Sequence, residues 1–176
     1  MNTKIASVIL LAGVLAACSQ EKGDHKRPAL RAALDQSTVT LQQSVDLSVA
    51  QTTSGKAFEG ALVIEGSAPM FAVGTVEVTT LKEFRINGVS GTVVSNTPIS
   101  GTAPGACPGQ IPINQALDIA AAEANGDAIA VVPDDDVECA FEIQVLSGET
   151  LWEVKLAQDG AVLEHELSDE YSGNGS

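Results

Sequence analysis

Two segments of this chain, 72 positions apart, carry nearly the same pattern of apolar and polar residues. The first is LQQSVDLSVAQ, residues 41–51, and the second is INQALDIAAAE, residues 113–123. Apolar residues recur at i and i+4, with small residues one turn later, which is typical of a helix with one buried face. Gly55 follows the first segment and Gly126 the second, and each is a plausible C-terminal stop. The sequence therefore predicts two similar helices.

The two helices differ at their predicted starts. Thr40 can cap the first helix, with Gln43 at the reciprocal position of a capping box. Pro112 stands where Thr40 stands in the first copy, and its side chain has no hydrogen-bond acceptor. Either Asn114 caps a later start or the second helix begins less firmly.

The similarity continues beyond the helices as segments in which apolar and polar residues alternate, the pattern of strands with one buried face. LKEFRI matches LWEVKL, GTVV matches GAVL, and MFAV matches AFEI, at residues 81–86 and 151–156, 91–94 and 160–163, and 70–73 and 140–143. In the second copy we expect strands at about 128–132, 140–146, 150–157 and 161–167. These patterns predict an α+β protein of two tandem modules, each with one helix packed on a three- to four-stranded antiparallel sheet.

The repeat also sets the expected organisation of the rest of the chain. The modules would occupy residues 39–95 and 111–169. The segment between them, 96–110, is rich in proline and glycine and uncharged, which favours a linker. We expect residues 18–38 to be a lipidated cysteine and a polar spacer, and 170–176 to be a disordered tail.

The first seventeen residues have the order of an export signal. Lys4 precedes an uncharged run from Ile5 to Ala17, which is the size of a signal-peptide core and short for a membrane span. LAAC, residues 15–18, resembles a bacterial lipobox, which implies a diacylglyceryl group on the Cys18 thiol and cleavage before Cys18. The alternative is an ordinary signal peptide. Ser19 is similar to the pattern that sends lipoproteins to the outer membrane.

Three cysteines occur in the chain, and two remain if lipid consumes Cys18. Disulfides persist outside the reducing cytoplasm, so an exported protein favours a Cys107–Cys139 bridge over two free thiols.

Charge is distributed unevenly along the chain. From Cys18 to Gly105 there are seven Lys or Arg residues and eight Asp or Glu residues, whereas Lys155 alone opposes fifteen acidic residues from Ala106 onward. Clustered basic residues bind phosphates, so nucleic acid is not expected as a partner. The acidic half would favour basic partners or simply maintain solubility.

Side chains that could carry chemistry are few. His25 lies in the spacer, and His165 lies between Glu164 and Glu166 on a strand, where alternate side chains point to opposite faces. A metal site from these three residues is therefore disfavoured. Asp134-Asp135-Asp136 with Glu138 lacks the ligand spacing of an EF-hand, so we expect a solvated turn, with weak cation binding as the alternative. We expect neither a catalytic site nor a cofactor.

Trp152 is the one tryptophan of the chain, and it lies on a predicted strand. It would be either a contact for a partner or part of the covering over the core.

Residues 111–169 resemble a PepSY domain. Gln115-Ala116 and Ile119-Ala120 stand at its helix positions, and FEIQV, LWEVKL and GAVL, residues 141–145, 151–156 and 160–163, stand at its strand positions. Residues 39–95 resemble a degenerate copy. The resemblance implies a small non-catalytic module that binds or restrains peptidases at the cell surface. We therefore expect a lipid-anchored envelope protein that binds a protein partner. Regulation or inhibition of a peptidase is one role that the resemblance implies. The alternative is a structural or assembly lipoprotein of the outer membrane without an inhibitory role.

Overall fold

The computed structural model describes residues 26–105 and 107–173. These residues form three helices and eight strands. The helices are α1 (Lys26–Gln36), α2 (Leu41–Val49) and α3 (Ile113–Glu123), and the strands are β1 (Lys56–Glu65), β2 (Ala68–Glu77), β3 (Thr80–Asn87), β4 (Val93–Ile99), β5 (Asp127–Pro133), β6 (Phe141–Ser147), β7 (Thr150–Leu156) and β8 (Val162–Leu167). The α+β class is confirmed, and β5 to β8 end within one residue of their predicted bounds.

All eight strands of the described residues join one antiparallel sheet in the order β4-β3-β2-β1-β5-β6-β7-β8. A helix followed by four strands occurs twice, as α2 with β1–β4 and as α3 with β5–β8. The sheet is nevertheless continuous, because β1 pairs with β5 through Gly60–Val131 and Ala61–Ala130. We call this junction the seam. The strands of the two copies therefore share one sheet.

Helices α2 and α3 lie on the same face of the sheet, which we call the helix face. A side chain at Gly60 of β1 would come within 3.1 Å of Leu41 on α2. A side chain at Gly160, in the turn before β8, would come within 2.9 Å of Ile119 on α3. The core between these helices and the sheet contains fully buried Leu62, Phe71, Phe84, Leu117 and Ile143. Burial of such side chains contributes about 1.5–3 kcal/mol each, and it holds both helices on one surface.

The two helices contact each other through matching residues of the two sequence copies. The Gln42 amide donates to the Asp118 carboxylate at 3.4 Å, and the Asn114 amide donates to the Asp46 carboxylate at 2.7 Å. Gln42 aligns with Asn114, and Asp46 with Asp118. The same amide–carboxylate pair is therefore made twice, and the helices are antiparallel neighbours. Asn114 does not cap α3.

Interruptions of the strand register also recur at matching places. The β3–β4 pairing shifts between Arg85 and Ile86, and the β7–β8 pairing shifts between Lys155 and Leu156. The sequence alignment places Arg85 opposite Lys155. A bulge bends and twists its strand, so both outer strands are distorted at equivalent points.

The helix ends follow their local sequence. Thr40 and Gln43 form the predicted capping box, and Pro112 makes no side-chain capping bond. At the end of α3, Asn125 takes the left-handed conformation with φ 50°. Gly126 then donates its N–H to Ala121 O at 3.0 Å. The predicted stop at Gly126 is thus made by Asn125 and Gly126 together.

Three segments differ from the expected organisation. Helix α1 occupies part of the expected spacer, and its Leu30 and Ala33 are buried in the core. Strand β4 reaches Ile99, inside the expected linker. Residues 170–173 of the expected disordered tail pack on the sheet, and Tyr171 is only 8% exposed. Helix α1 and Tyr171 obtain burial that a spacer or a free tail would not provide, and β4 obtains main-chain pairing with β3 as far as Ile99.

Candidate binding surface

Strands β6 to β8 carry a row of carboxylates on the face opposite α3. His165 faces α3, so its neighbours Glu164 and Glu166 point to the other side. Glu153 lies directly opposite Glu166 in the β7–β8 pairing, and Glu142 lies on the same face of β6. We call Glu142, Glu153, Glu164 and Glu166 the acidic face. Like charges in direct cross-strand register are destabilising, so this arrangement is not explained by stability.

The environment of two of these carboxylates, Glu142 and Glu153, favours their protonated forms. Burial raises the pKa of Glu142, and the nearby Glu153 carboxylate raises it further. Burial likewise raises the pKa of Glu153, with a contribution from Glu166. Lys155, at the centre of the acidic face, lies 3.8 Å from Glu164 but 2.8 Å from Asp134. The one basic side chain in this half of the chain is therefore already engaged.

The acidic turn after β5 is held together internally. The Asp134 side chain is 1% exposed, and it accepts the N–H groups of Asp136 and Val137 in addition to its ion pair with Lys155. Burial raises the pKa of Asp134, but these three partners outweigh burial and leave the pKa below its usual value. Among the residues that the structure describes, no group of three or more acidic, histidine or cysteine side chains is placed to hold a metal ion.

His165 and Trp152 pack together on the helix face. The His165 Nδ1 atom lies 3.2 Å from Glu123 Oε1, and the two rings meet edge-on with centroids 4.7 Å apart. Trp152 is partly buried against the core. The structure thus separates His165 from Glu164 and Glu166, and it gives Trp152 a packing role on the helix face.

The last described residues, 168–173, cross the opposite face as a segment of bends and a turn, which we call the C-terminal strap. Its first residue, Ser168, donates its N–H to Leu151 O at 3.0 Å. The buried Gln144 amide of β6 donates to Glu170 O at 2.8 Å and accepts the Ser172 N–H at 2.8 Å. Sequence reasoning missed this segment. Its one signal is Tyr171, the single tyrosine of the chain, in an otherwise polar tail.

A groove of about 420 Å³ lies between the strap and strands β6 to β8. Its lining includes five carboxylates, three from the acidic face and two from the strap, together with polar strap residues. The five are Glu142, Glu153, Glu166, Asp169 and Glu170. Any ligand of this groove would meet a strongly negative surface.

A smaller cleft lies on the same face near the seam. Glu59 crosses Gly74 toward Glu83, and any side chain at Gly74 would come within 2.5 Å of the Glu59 carboxylate. Burial, with a smaller contribution from Glu83, raises the pKa of Glu59 to about 7. The Glu83 carboxylate is 2.7 Å from Arg85 Nε, so Arg85 neutralises Glu83 and not Glu59.

The remaining predicted site residues are the cysteines. Cys107 and Cys139 form the predicted disulfide, with their Cα atoms 5.6 Å apart. Gln110 reinforces this contact by donating from its side chain to Cys139 O at 2.8 Å. Cys18 and the signal segment 1–17 lie outside the described residues, as does His25. Of the helices in the described part of the chain, none has the length and hydropathy needed to cross a bilayer.

Comparisons with known proteins do not assign a family. No protein-family model matches the chain, the PepSY domain included, and no curated protein matches it. The chain aligns in part with the crystal structure of a protein from Clostridium difficile 630 named a "putative lipoprotein", with a TM-score of 0.47 and 14% sequence identity. That similarity covers 75% of this chain and 95% of the other.

Proposed function

We propose that this protein is a lipid-anchored, non-catalytic component of a bacterial cell envelope, and that it binds a protein partner through the acidic face. The observation that carries the proposal is the cross-strand pair of Glu153 and Glu166, with Glu142 beside them, on a rigid sheet. Such a pair costs stability and raises the pKa of Glu153, and a basic partner surface would relieve the repulsion on binding.

The anchor rests on the lipobox-like residues 15–18. Replacement Cys18→Ala should remove the lipid and shift the protein from the membrane fraction to the soluble fraction of cells. Metabolic labelling with a fatty acid checks the result directly. Labelling of the alanine variant would contradict the proposal.

The partner-binding surface can be tested with charge-matched variants. Glu153→Gln with Glu166→Gln removes two charges from the acidic face, whereas Glu138→Gln with Glu149→Gln removes two exposed charges elsewhere in the same half. Crosslinking on intact cells, read by mass spectrometry, should show a partner that the first variant loses and the second retains. Equal crosslinking by both variants would remove the acidic face from the proposal.

The resemblance of residues 39–95 and 111–169 to PepSY modules extends the proposal to two modules that share one sheet, with an envelope peptidase as the partner. The matching Gln42–Asp118 and Asn114–Asp46 contacts support the duplication. Activity of envelope peptidases in strains with and without the gene tests the peptidase. Unchanged peptidase activity with altered outer-membrane integrity would favour a structural lipoprotein instead.

A further inference from the structure

We propose that the C-terminal strap is a removable latch: it closes the seam between β1 and β5 with Tyr171, and the site that holds the strap accepts a peptide that carries a tyrosine. This inference does not depend on the lipid anchor or on the acidic-face partner. It rests on the short pairing at the seam, the position of Tyr171 and the way in which Gln144 holds the strap.

The seam is the shortest pairing in the described sheet. Strands β1 and β5 share the register pairs Gly60–Val131 and Ala61–Ala130, whereas β1 and β2 share nine register pairs. Main-chain hydrogen bonds and side-chain contacts along a ladder stabilise strand pairing, so the junction between the two halves of the sheet is its weakest.

Tyr171 lies where the seam pairing ends. Leu62 and Ile129 would form the next pair after Ala61–Ala130, and both of their carbonyls contact the Tyr171 hydroxyl, Ile129 O at 3.2 Å. The hydroxyl thus connects one strand from each half of the sheet. The ring belongs to the hydrophobic core, and burial raises the pKa of Tyr171, which keeps the hydroxyl a hydrogen-bond donor. Tyr171 therefore continues the junction by side-chain contact after the ladder has stopped.

The strap is held as a bound peptide is held. Gln144 uses both ends of its amide on the strap main chain, at Glu170 O and Ser172 N, and Arg27 of α1 donates to Ser168 O at 2.9 Å. Contacts to the main chain of a segment do not depend on its side chains, whereas a pocket for one side chain gives selectivity. The Tyr171 pocket supplies that selectivity here.

Electrostatics oppose the docking of the strap. Asp169 and Glu170 of the strap line the same groove as Glu142, Glu153 and Glu166. Like charges that line one groove repel each other, and salt screens this repulsion. This repulsion lowers the free energy that is needed to open the strap relative to that of the core, although hydrogen bonds hold the strap in place. The latch is therefore releasable.

Hydrogen–deuterium exchange on the full chain tests the latch. Tyr171→Phe keeps the ring and removes the hydroxyl, so amides of the strap and of β1 and β5 beside the seam should exchange about fivefold faster. Asp169→Asn, a matched change in the strap, removes repulsion and should slow the same amides. Exchange of the strap only at the rate of the global core, or unchanged exchange in Tyr171→Phe, would overturn the proposal.

Competition with a synthetic peptide tests the site that holds the strap on the unmodified protein. The synthetic peptide LSDEYSG, residues 167–173, should displace the strap when added in excess and should accelerate exchange of the chain's own strap amides. The same peptide with phenylalanine at the tyrosine position should act more weakly. In Tyr171→Ala, the tyrosine peptide should restore protection at the seam. No effect of the peptide on the unmodified protein or on Tyr171→Ala would show that the site that holds the strap does not bind a peptide.

Discussion

The partly buried carboxylate of Glu59 lowers the stability of the folded protein when it is charged. Its side chain crosses Gly74 beside Glu83, whose charge is already balanced by Arg85. A folded-state pKa of about 7 against 4.5 in the unfolded chain means that the folded protein binds the proton more tightly. Stability should therefore fall as pH rises from about 4.5 to about 7 and should stay level above that range.

Glu59→Gln should remove this dependence. The neutral amide keeps the shape without the charge, so we expect the free energy of unfolding at pH 8 to rise by roughly 2 kcal/mol, with little change at pH 4.5. Urea unfolding at both pH values measures this free energy. The exposed Glu149→Gln is the control and should change neither value. An identical pH slope in wild type and Glu59→Gln would contradict the assignment.

The ion pair between Lys155 and Asp134, unlike Glu59, stabilises the folded protein when it is charged. Asp134 is almost completely buried, so Lys155→Met would leave a buried carboxylate without its cation. We expect a loss of about 3 kcal/mol at pH 7, measured by urea unfolding, and a smaller loss as falling pH protonates Asp134. Lys82→Met, which breaks the more exposed pair with Glu77, should cost clearly less than Lys155→Met. Equal losses in the two variants would count against this account.

At the scale of elements, the two aligned helices provide an internal comparison, because α2 is capped by Thr40 and α3 is not capped. Thr40→Ala should lower the free energy of unfolding by about 1 kcal/mol, while Thr40→Ser, which retains the acceptor, should stay close to wild type. Thermal unfolding followed by circular dichroism measures both. A Thr40→Ala protein as stable as Thr40→Ser would show that the hydroxyl does not support α2.

Elements governed by local pattern could be predicted, and those governed by distant contacts could not. The Thr40 capping box and strands β5 to β8 follow from neighbouring residues. Helix α1 was missed although Leu30, Ala33 and Leu34 have helical spacing, because the charged residues around them also fit a spacer. The β1–β5 seam and the docking of Tyr171, 109 positions from Leu62, depend on contacts that no local pattern encodes.

At the scale of the whole molecule, the Cys107–Cys139 bridge fixes the segment between the two halves to the turn before β6. Serine at both positions should lower the free energy of unfolding by about 3–4 kcal/mol, because the unfolded chain loses a loop constraint of 32 residues. Chemical denaturation measures this loss. Reduction of the wild type should reproduce it, and reductant should not affect the double serine variant. A loss below about 1 kcal/mol would contradict the entropic account.

The contact between Arg27 and Ser168 ties the beginning of the described chain to its end. Arg27 is nine positions after Cys18, and nine residue steps span at most about 30 Å when fully extended. An acylated Cys18 would therefore keep the strap's first residue within a few nanometres of the lipid headgroups. If the strap opens as proposed, a polypeptide that takes its place would then bind within that distance of the bilayer.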